Sequence, residues 1–291
     1  MHVLVMASQK GGSGKTTLSG HLAVEADKAN IGPVALIDTD PQGSLSHWWN
    51  AREATSPHFA KVHLMQLGEA LEELRRSGIK LAVVDTPPAV TDSISQVVAH
   101  ADLVVIPTRP SPHDLRSVGA TVDIAERHRK PLVFVMNGAT ARARITGETA
   151  VALSQHGTVA PITLHHRVDF AASMVDGRSV SEVMPKSQSA KEVHDLWMYL
   201  QDRLSRLTHD AKLLPDIRPD LSIEALTSLT EEPVEAGPEG DSAPEPIADS
   251  APEPAPIRER RVLGERRTNF ATFGGVERRS HPFGRRAQDR N

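Results

Sequence analysis

The chain has 291 residues, an apolar content of 39% and a formal net charge of −4. It has no cysteine, which excludes disulfides, cysteine nucleophiles and thiolate-held metal or iron–sulfur clusters. Because it has no signal-peptide pattern and no run of about 18 apolar residues, we expect a cytoplasmic protein without a transmembrane helix.

Short apolar runs alternate with helical patterns as far as about residue 210. The predicted strands are 2–8, 33–40, 80–88, 101–110, 130–138 and 158–162. They lack polar alternation, which is typical of parallel strands buried on both faces. Helical segments are predicted between the strands, for example 14–30, 68–78 and 114–130, and a final helix at about 189–207. This order predicts one α/β domain over 1–210, with a doubly wound, mostly parallel sheet flanked by helices, as in P-loop NTPases.

The first strand leads into the glycine-rich sequence "KGGSGKTT" at residues 10–17, which opens a helix. Glycines let backbone N–H groups point at phosphate oxygens, and the helix N-terminus adds partial positive charge. We therefore expect Lys15 at the β- and γ-phosphates and the Thr16 hydroxyl on Mg²⁺. Gln9 replaces the usual first glycine of this motif, and a second lysine, Lys10, follows it. A glycine-rich turn without this function is the alternative.

Three aspartates come at the ends of two predicted strands. Asp38 and Asp40 end "ALIDTD", and Asp85 ends "LAVVD". In open α/β sheets ligands bind at the carboxyl ends of the strands, and carboxylates suit Mg²⁺. We expect Asp85 to hold Mg²⁺ through water. A helix cap or a solvated loop is the alternative for an acidic residue at such a position.

The motifs "KGGSGKTT", "DTDPQGS", "VVDTPP" and "IPTRPSPHDL" together resemble the ParA/MinD superfamily of deviant Walker A ATPases, over about residues 1–207. The second and fourth motifs favour the small ParA-like partition ATPases, which have no N-terminal helix-turn-helix domain. The resemblance implies ATP and Mg²⁺ as cofactors, and slow, partner-stimulated hydrolysis of ATP to ADP and phosphate.

In that family the extra lysine crosses to the nucleotide of a second subunit, so the resemblance implies an ATP-bound homodimer joined through Lys10. Asp40 matches the aspartate that positions the attacking water. The implied catalytic residues are therefore Lys10, Lys15 and Asp40. The implied metal-binding residues are Thr16, Asp38 and Asp85.

The resemblance also implies the remaining nucleotide contacts. Thr17 is expected at the α-phosphate, with Asn137 and Pro185 beside the adenine. The full nucleotide-binding set is Lys10, Gly11, Gly12, Ser13, Gly14, Lys15, Thr16, Thr17, Asn137 and Pro185.

ATP dimers of the partition branch bind DNA without sequence preference, through basic surface residues that contact phosphate. The candidates here are Arg142, Arg144, Arg167, Lys186 and Lys191, with Arg167 the best match. This implies nucleoid association and a ParB-like or cargo-adaptor partner that stimulates hydrolysis. The cargo is left open between a plasmid, a chromosome and a large protein assembly.

Two other functions on this scaffold stay open. A MinD-like membrane-cycling ATPase would end in an amphipathic basic helix, but the C-terminal sequence has no apolar stripe, so we expect no stable membrane insertion. A biotin-synthesis-type ligase is compatible with the composition, although it would not explain "DPQGS" and "PSPHDL". Branches that carry iron–sulfur clusters need cysteine and are excluded.

The composition changes after the predicted domain. Residues 215–257 contain eleven acidic residues and nine prolines, which predicts a disordered linker over 211–257. Residues 258–291 contain ten arginines and the related sequences "ERRTNF" and "ERRSHPF". We expect this tail to be disordered, a second DNA contact or a docking motif, and the phenylalanines favour docking.

Overall fold

The computed structural model of the chain describes residues 1–88 and 91–213, and the side chains of residues 1–88 and 92–207. The predicted arginine-rich tail and all but residues 211–213 of the predicted linker lie outside the described residues. Within the described part, no helix is both long enough and apolar enough to cross a membrane.

The strands of the described chain form one seven-stranded sheet. They are β1 (His2–Met6), β2 (Val34–Asp38), β3 (His58–Lys61), β4 (Leu81–Asp85), β5 (Leu103–Thr108), β6 (Leu132–Ala139) and β7 (Thr158–His165). The order across the sheet is β3-β2-β4-β1-β5-β6-β7, and all neighbours are parallel. The predicted parallel sheet is confirmed, with the strand that precedes the glycine-rich loop at its centre.

Helices connect the strands and cover both faces of the sheet. They are α1 (Lys15–Lys28), α2 (Ser44–Asn50), α3 (Leu67–Arg76), α4 (Thr91–Val98), α5 (Pro112–Arg127), α6 (Arg144–Ser154), α7 (Val168–Ser173), α8 (Val180–Val183) and α9 (Gln188–Leu213). Single 3₁₀ turns lie at Leu64–Gln66 and Met174–Asp176.

Strand β1 shows why the apolar runs do not alternate with polar residues. Leu4 and Met6 pack into a core with α1 and α9, which contributes the fully buried Trp197. Val3 and Val5 pack into a second core on the opposite face, with α3, α4 and α5. Both faces of the strand are therefore buried, as expected for a parallel sheet between two helical layers.

The elements that the sequence pattern did not predict are the short or exposed ones. Strand β3 lies at the sheet edge, and its four residues are exposed or half-buried, so it carries no apolar run. Helices were predicted between the strands, but no bounds were given for α2, α4, α6, α7 and α8. The last helix begins one residue earlier than predicted and extends to Leu213, six residues beyond the predicted end at residue 207.

A fully buried histidine links α1 to α7. His21 Nδ1 lies 2.8 Å from the Thr17 carbonyl oxygen, and Nε2 lies 3.4 Å from the Ser173 hydroxyl. The imidazole also packs against Phe170, with ring centroids 5.4 Å apart. Burial lowers the pKa of His21 to about 4, although the hydrogen bond to Thr17 opposes this shift. The folded protein therefore holds His21 neutral.

The His21→Gln variant should lose less stability in acid than the wild type does. Because the pKa of His21 is lower in the folded than in the unfolded chain, its contribution is complete above about pH 6.5 and falls as the pH drops towards 4. Between pH 7 and pH 5 the wild type should lose about 2 kcal/mol through this residue. Urea unfolding of both proteins at the two pH values measures the difference, and equal losses would contradict it.

Candidate functional site

The glycine-rich loop joins β1 to α1 at the carboxyl edge of the sheet, and two of its glycines have backbone conformations that other residues avoid. Gly12 has φ +76° and Gly14 has φ +100°. A Cβ at Gly14 would lie 2.1 Å from Nδ2 of Asn137. That amide donates to the Ser13 carbonyl at 2.7 Å. The contact places Asn137 against the loop and requires glycine at position 14.

Lys15, at the start of α1, turns back over the loop and is 6% exposed. Its Nζ donates to the Ser8 carbonyl at 3.0 Å and to the Lys10 carbonyl at 3.4 Å. Burial lowers the pKa of Lys15, while the charges of Asp85 and Asp40 oppose the shift. The loop therefore surrounds an inward-facing ammonium group.

Asp85 lies at the end of β4 with its carboxyl group completely buried. The carboxyl accepts hydrogen bonds from α1, at 2.7 Å from Thr16 Oγ1 and 3.2 Å from Ser19 Oγ. Burial raises the pKa of Asp85 to about 7; the Asp38 charge acts in the same direction, while Thr16, Lys15 and Ser19 oppose it. Asp85 and Asp38 are register partners in neighbouring strands, so two acidic groups lie side by side.

The two aspartates after β2 differ in their surroundings. Asp38 is buried and accepts hydrogen bonds from the Asp40 N–H at 3.0 Å and from the Ser46 N–H and hydroxyl at 2.9 and 2.6 Å. It thereby fastens the "DPQGS" loop and the first turn of α2. Asp40 is 8% exposed and accepts from the Gln42 N–H at 2.9 Å. Of these two, Asp40 is the one that lines a cavity.

Lys10 forms an ion pair with Asp114, in the first turn of α5. Asp114 also accepts from the Ser111 hydroxyl, while the Asp114 N–H donates to Ser111 Oγ at 3.1 Å. Burial would raise the pKa of Asp114, but the hydrogen bonds from Lys10 and Ser111 and the Lys10 charge hold it below its usual value. The two lysines of the loop are therefore held differently.

A cavity of about 670 Å³ opens beside the loop. Its polar wall consists of the loop and Lys15 together with Asp40, the residues after β4, and Arg109 after β5. Trp48, Met174 and Val175 form its apolar end. Among the predicted adenine contacts, Asn137 touches the loop but does not line this cavity, and Pro185 lies exposed and also outside the lining.

Comparison with known proteins identifies the family of this loop, sheet and cavity. Residues 4–129 match the CobQ/CobB/MinD/ParA nucleotide binding domain. Over 205 residues the chain is 30% identical to the Maintenance of carboxysome distribution protein A of Halothiobacillus neapolitanus, covering 65% of this chain and 91% of that protein. The chain belongs to this family.

Solved structures of the ParA/MinD family share the fold. The MinD cell division protein of Aquifex aeolicus superposes with a TM-score of 0.60 at 17% identity, covering 69% of this chain and 97% of that one. A McdA variant of Cyanothece in complex with ATP superposes with a TM-score of 0.53 at 16% identity, covering 72% and 96%. Members of the ParA/MinD family are nucleotide-binding ATPases, which confirms the class of protein that the motifs predicted.

Of the five predicted DNA-binding residues, two have no partner among the described residues and three form ion pairs. Arg142 and Lys186 are exposed, and neither side chain has an ion pair or hydrogen bond with a described residue. Arg144 pairs with Glu148, and Lys191 pairs with Asp195, both one turn apart on an exposed helix surface.

Arg167, the best match to the family pattern, is the most constrained of the five. Its guanidinium donates to both oxygens of Glu192, at 2.6 and 2.9 Å. Glu192 is 5% exposed and also accepts from the His165 N–H at 3.1 Å. Arg167 therefore links the end of β7 to α9.

Two residues of the site were missed by the sequence reasoning. Asp114 lies within the quoted motif "PSPHDL", but its partner Lys10 is 104 residues away. Arg109 lies near the end of the predicted strand 101–110, and a basic residue at the carboxyl end of a strand was the available signal.

Gly14→Ala should destabilise the protein by about 2 kcal/mol or more, because alanine at φ +100° is strained and its Cβ would clash with Asn137. Gly11→Ala is the matched control: nothing lies within 4 Å of a Cβ there, and the backbone is not left-handed. Thermal unfolding without nucleotide should show a clearly lower melting temperature for Gly14→Ala but not for Gly11→Ala. Equal melting temperatures for the two variants would contradict this account of the loop.

Proposed function

We propose that the chain is an ATP-driven positioning switch: ATP binding forms a homodimer that binds DNA without sequence preference, and a partner on the cargo stimulates hydrolysis. The observation that carries this proposal is the pair of lysines on one loop. Lys15 lies inside its own subunit's cavity, whereas Lys10 lies outside the lining. A second lysine that lies outside its own subunit's site is suited to contact the phosphates of a nucleotide bound to another subunit.

The apolar end of the cavity supports a dimer that covers it. Val175 lines the cavity, yet the residue is 80% exposed. Met174 beside it lines the same end. Apolar side chains at the edge of a charged cavity gain free energy when a second subunit removes them from water. A symmetric pair of subunits would bring each Lys10 towards the other's nucleotide.

We infer that Mg²⁺ accompanies ATP. The Thr16 hydroxyl and the Asp85 carboxyl offer hard oxygen donors 2.7 Å apart, the type that Mg²⁺ prefers. No group of three or more His, Asp or Glu side chains in the described chain is arranged to hold a metal. A site with so few protein donors fits an ion that also binds phosphates and water. When bound, Mg²⁺ neutralises part of the charge on the triphosphate.

Asp40 is proposed to orient the water for hydrolysis. It lines the cavity close to the loop and retains an oxygen beyond the one that accepts from Gln42. Asp38, by contrast, has one oxygen engaged by the "DPQGS" loop and the other by Ser46 in α2, so we assign it a supporting role beside the metal. The name of the Halothiobacillus relative supports a large protein assembly as the cargo.

Lys10→Ala should abolish ATP-dependent dimers while each monomer still binds ATP, because Lys15 and the loop stay intact. Sedimentation of the full chain with a non-hydrolysable ATP analogue measures dimers, and a fluorescent nucleotide measures binding. Lys28→Ala, at the opposite end of α1, is the control and should dimerise as wild type. Dimers of Lys10→Ala would overturn the assignment of Lys10.

ATP-dependent binding to random-sequence DNA should weaken steeply with salt, because it rests on phosphate contacts. Arg142→Glu and Lys186→Glu should weaken it further, since both cations are exposed and have no described partner to lose. Lys15→Ala should abolish the ATP dependence, and Arg76→Glu, an exposed residue on α3, serves as the charge control. Binding to anionic vesicles but not to DNA would favour the membrane-cycling alternative.

A further inference from the structure

We propose that Arg109 is a phosphate-binding residue, whose guanidinium contacts the terminal phosphate of a nucleoside triphosphate bound in the same subunit. The proposal rests on the ATP binding proposed above and assigns a further cation to that cavity. Neither the glycine-rich motif nor the aspartates at the strand ends account for this residue.

The position of Arg109 follows from the sheet order. It comes directly after β5, which pairs with β1, the strand that leads into the loop. Arg109 lines the same cavity as Lys15 and other loop residues between Gly11 and Thr17. Lys15 is the residue expected at the β- and γ-phosphates. Arg109 is therefore on the cavity wall that carries the cation expected at the outer phosphates.

The backbone of Arg109 is held in place on both sides. Its N–H donates to the Asp114 carboxylate, and its carbonyl accepts from the Ser111 N–H at 2.8 Å. Pro110 follows it and disfavours helical backbone at position 109. The same carboxylate thus holds the backbone of Arg109 and the ammonium of Lys10. A fixed backbone lowers the entropy that the side chain loses on binding.

The guanidinium is available for a ligand. The Arg109 side chain is exposed, passes beside Gly138 with Nε 3.7 Å from the position of a Cβ there, and has no ion pair or hydrogen bond within the described residues. Lys15 in the same wall already donates to two loop carbonyls. A guanidinium offers a rigid fork of donors that matches phosphate oxygens. Of the lysine and the arginine on this wall, Arg109 is thus the one with its donors uncommitted.

The affinities of the full chain for ATP and ADP, measured by titration calorimetry with Mg²⁺, test the proposal. Arg109→Gln should weaken ATP binding about 10-fold or more, as expected for the loss of a charge-assisted hydrogen bond. The loss for ADP should be smaller, because ADP lacks the terminal phosphate. Arg109→Lys should recover part of the ATP affinity. A merely structural role would weaken ATP and ADP alike.

The control is Arg127→Gln, an exposed arginine at the opposite end of α5. It should bind both nucleotides as wild type does. If Arg109→Gln loses ATP and ADP affinity equally, or loses neither while wild type binds ATP, the proposal is overturned and the proposed function stands. If wild type itself fails to bind ATP, the proposed function and this proposal fall together.

Discussion

The site is built around one buried carboxyl group at the centre of the sheet. Asp85 accepts hydrogen bonds from Thr16 and Ser19 on α1, and its backbone carbonyl accepts from the Thr39 hydroxyl at 2.6 Å. One residue thus ties β4 to α1 and to the loop after β2. Because ionising a buried carboxyl is costly, the hydroxyls and the nearby Lys15 are needed to offset that cost. The position of the glycine-rich loop therefore depends on the balance between the cost of burying this carboxyl and the contacts that offset it.

The three cations around the loop occupy three different settings. Lys15 is buried and hydrogen-bonded to loop carbonyls, Lys10 is paired with a carboxylate of α5, and Arg109 is exposed beside the cavity. These settings follow from the sheet order, because α1 follows β1 while Arg109 and α5 follow the neighbouring β5. A polyanion in the cavity would meet positive charge from two adjacent strand ends.

The parts of the molecule that could be predicted from sequence are those governed by local pattern. Five largely buried strands and the half-buried edge strand β7 appear as apolar runs. The glycine-rich loop is recognisable because its residues are contiguous. Edge strand β3 could not be predicted because its four residues are not buried. The ion pairs between distant residues, Lys10 with Asp114 and Arg167 with Glu192, could not be predicted either. Neither spacing nor residue type identifies the acidic partner in these pairs, since any of the 37 acidic residues could have been the partner.

The ion pair between Lys10 and Asp114 can be broken at a modest cost in stability, because Asp114 does not depend on Lys10 alone. A buried carboxylate that loses its only partner is strongly destabilised. Asp114, however, keeps the Ser111 hydroxyl and the Arg109 N–H, and it lies in the first turn of α5, where the helix dipole favours negative charge. Lys10, with 35% of its side chain exposed, can return to water. The fold therefore holds this lysine in a defined place without committing it there, as the proposed contact with a second subunit requires.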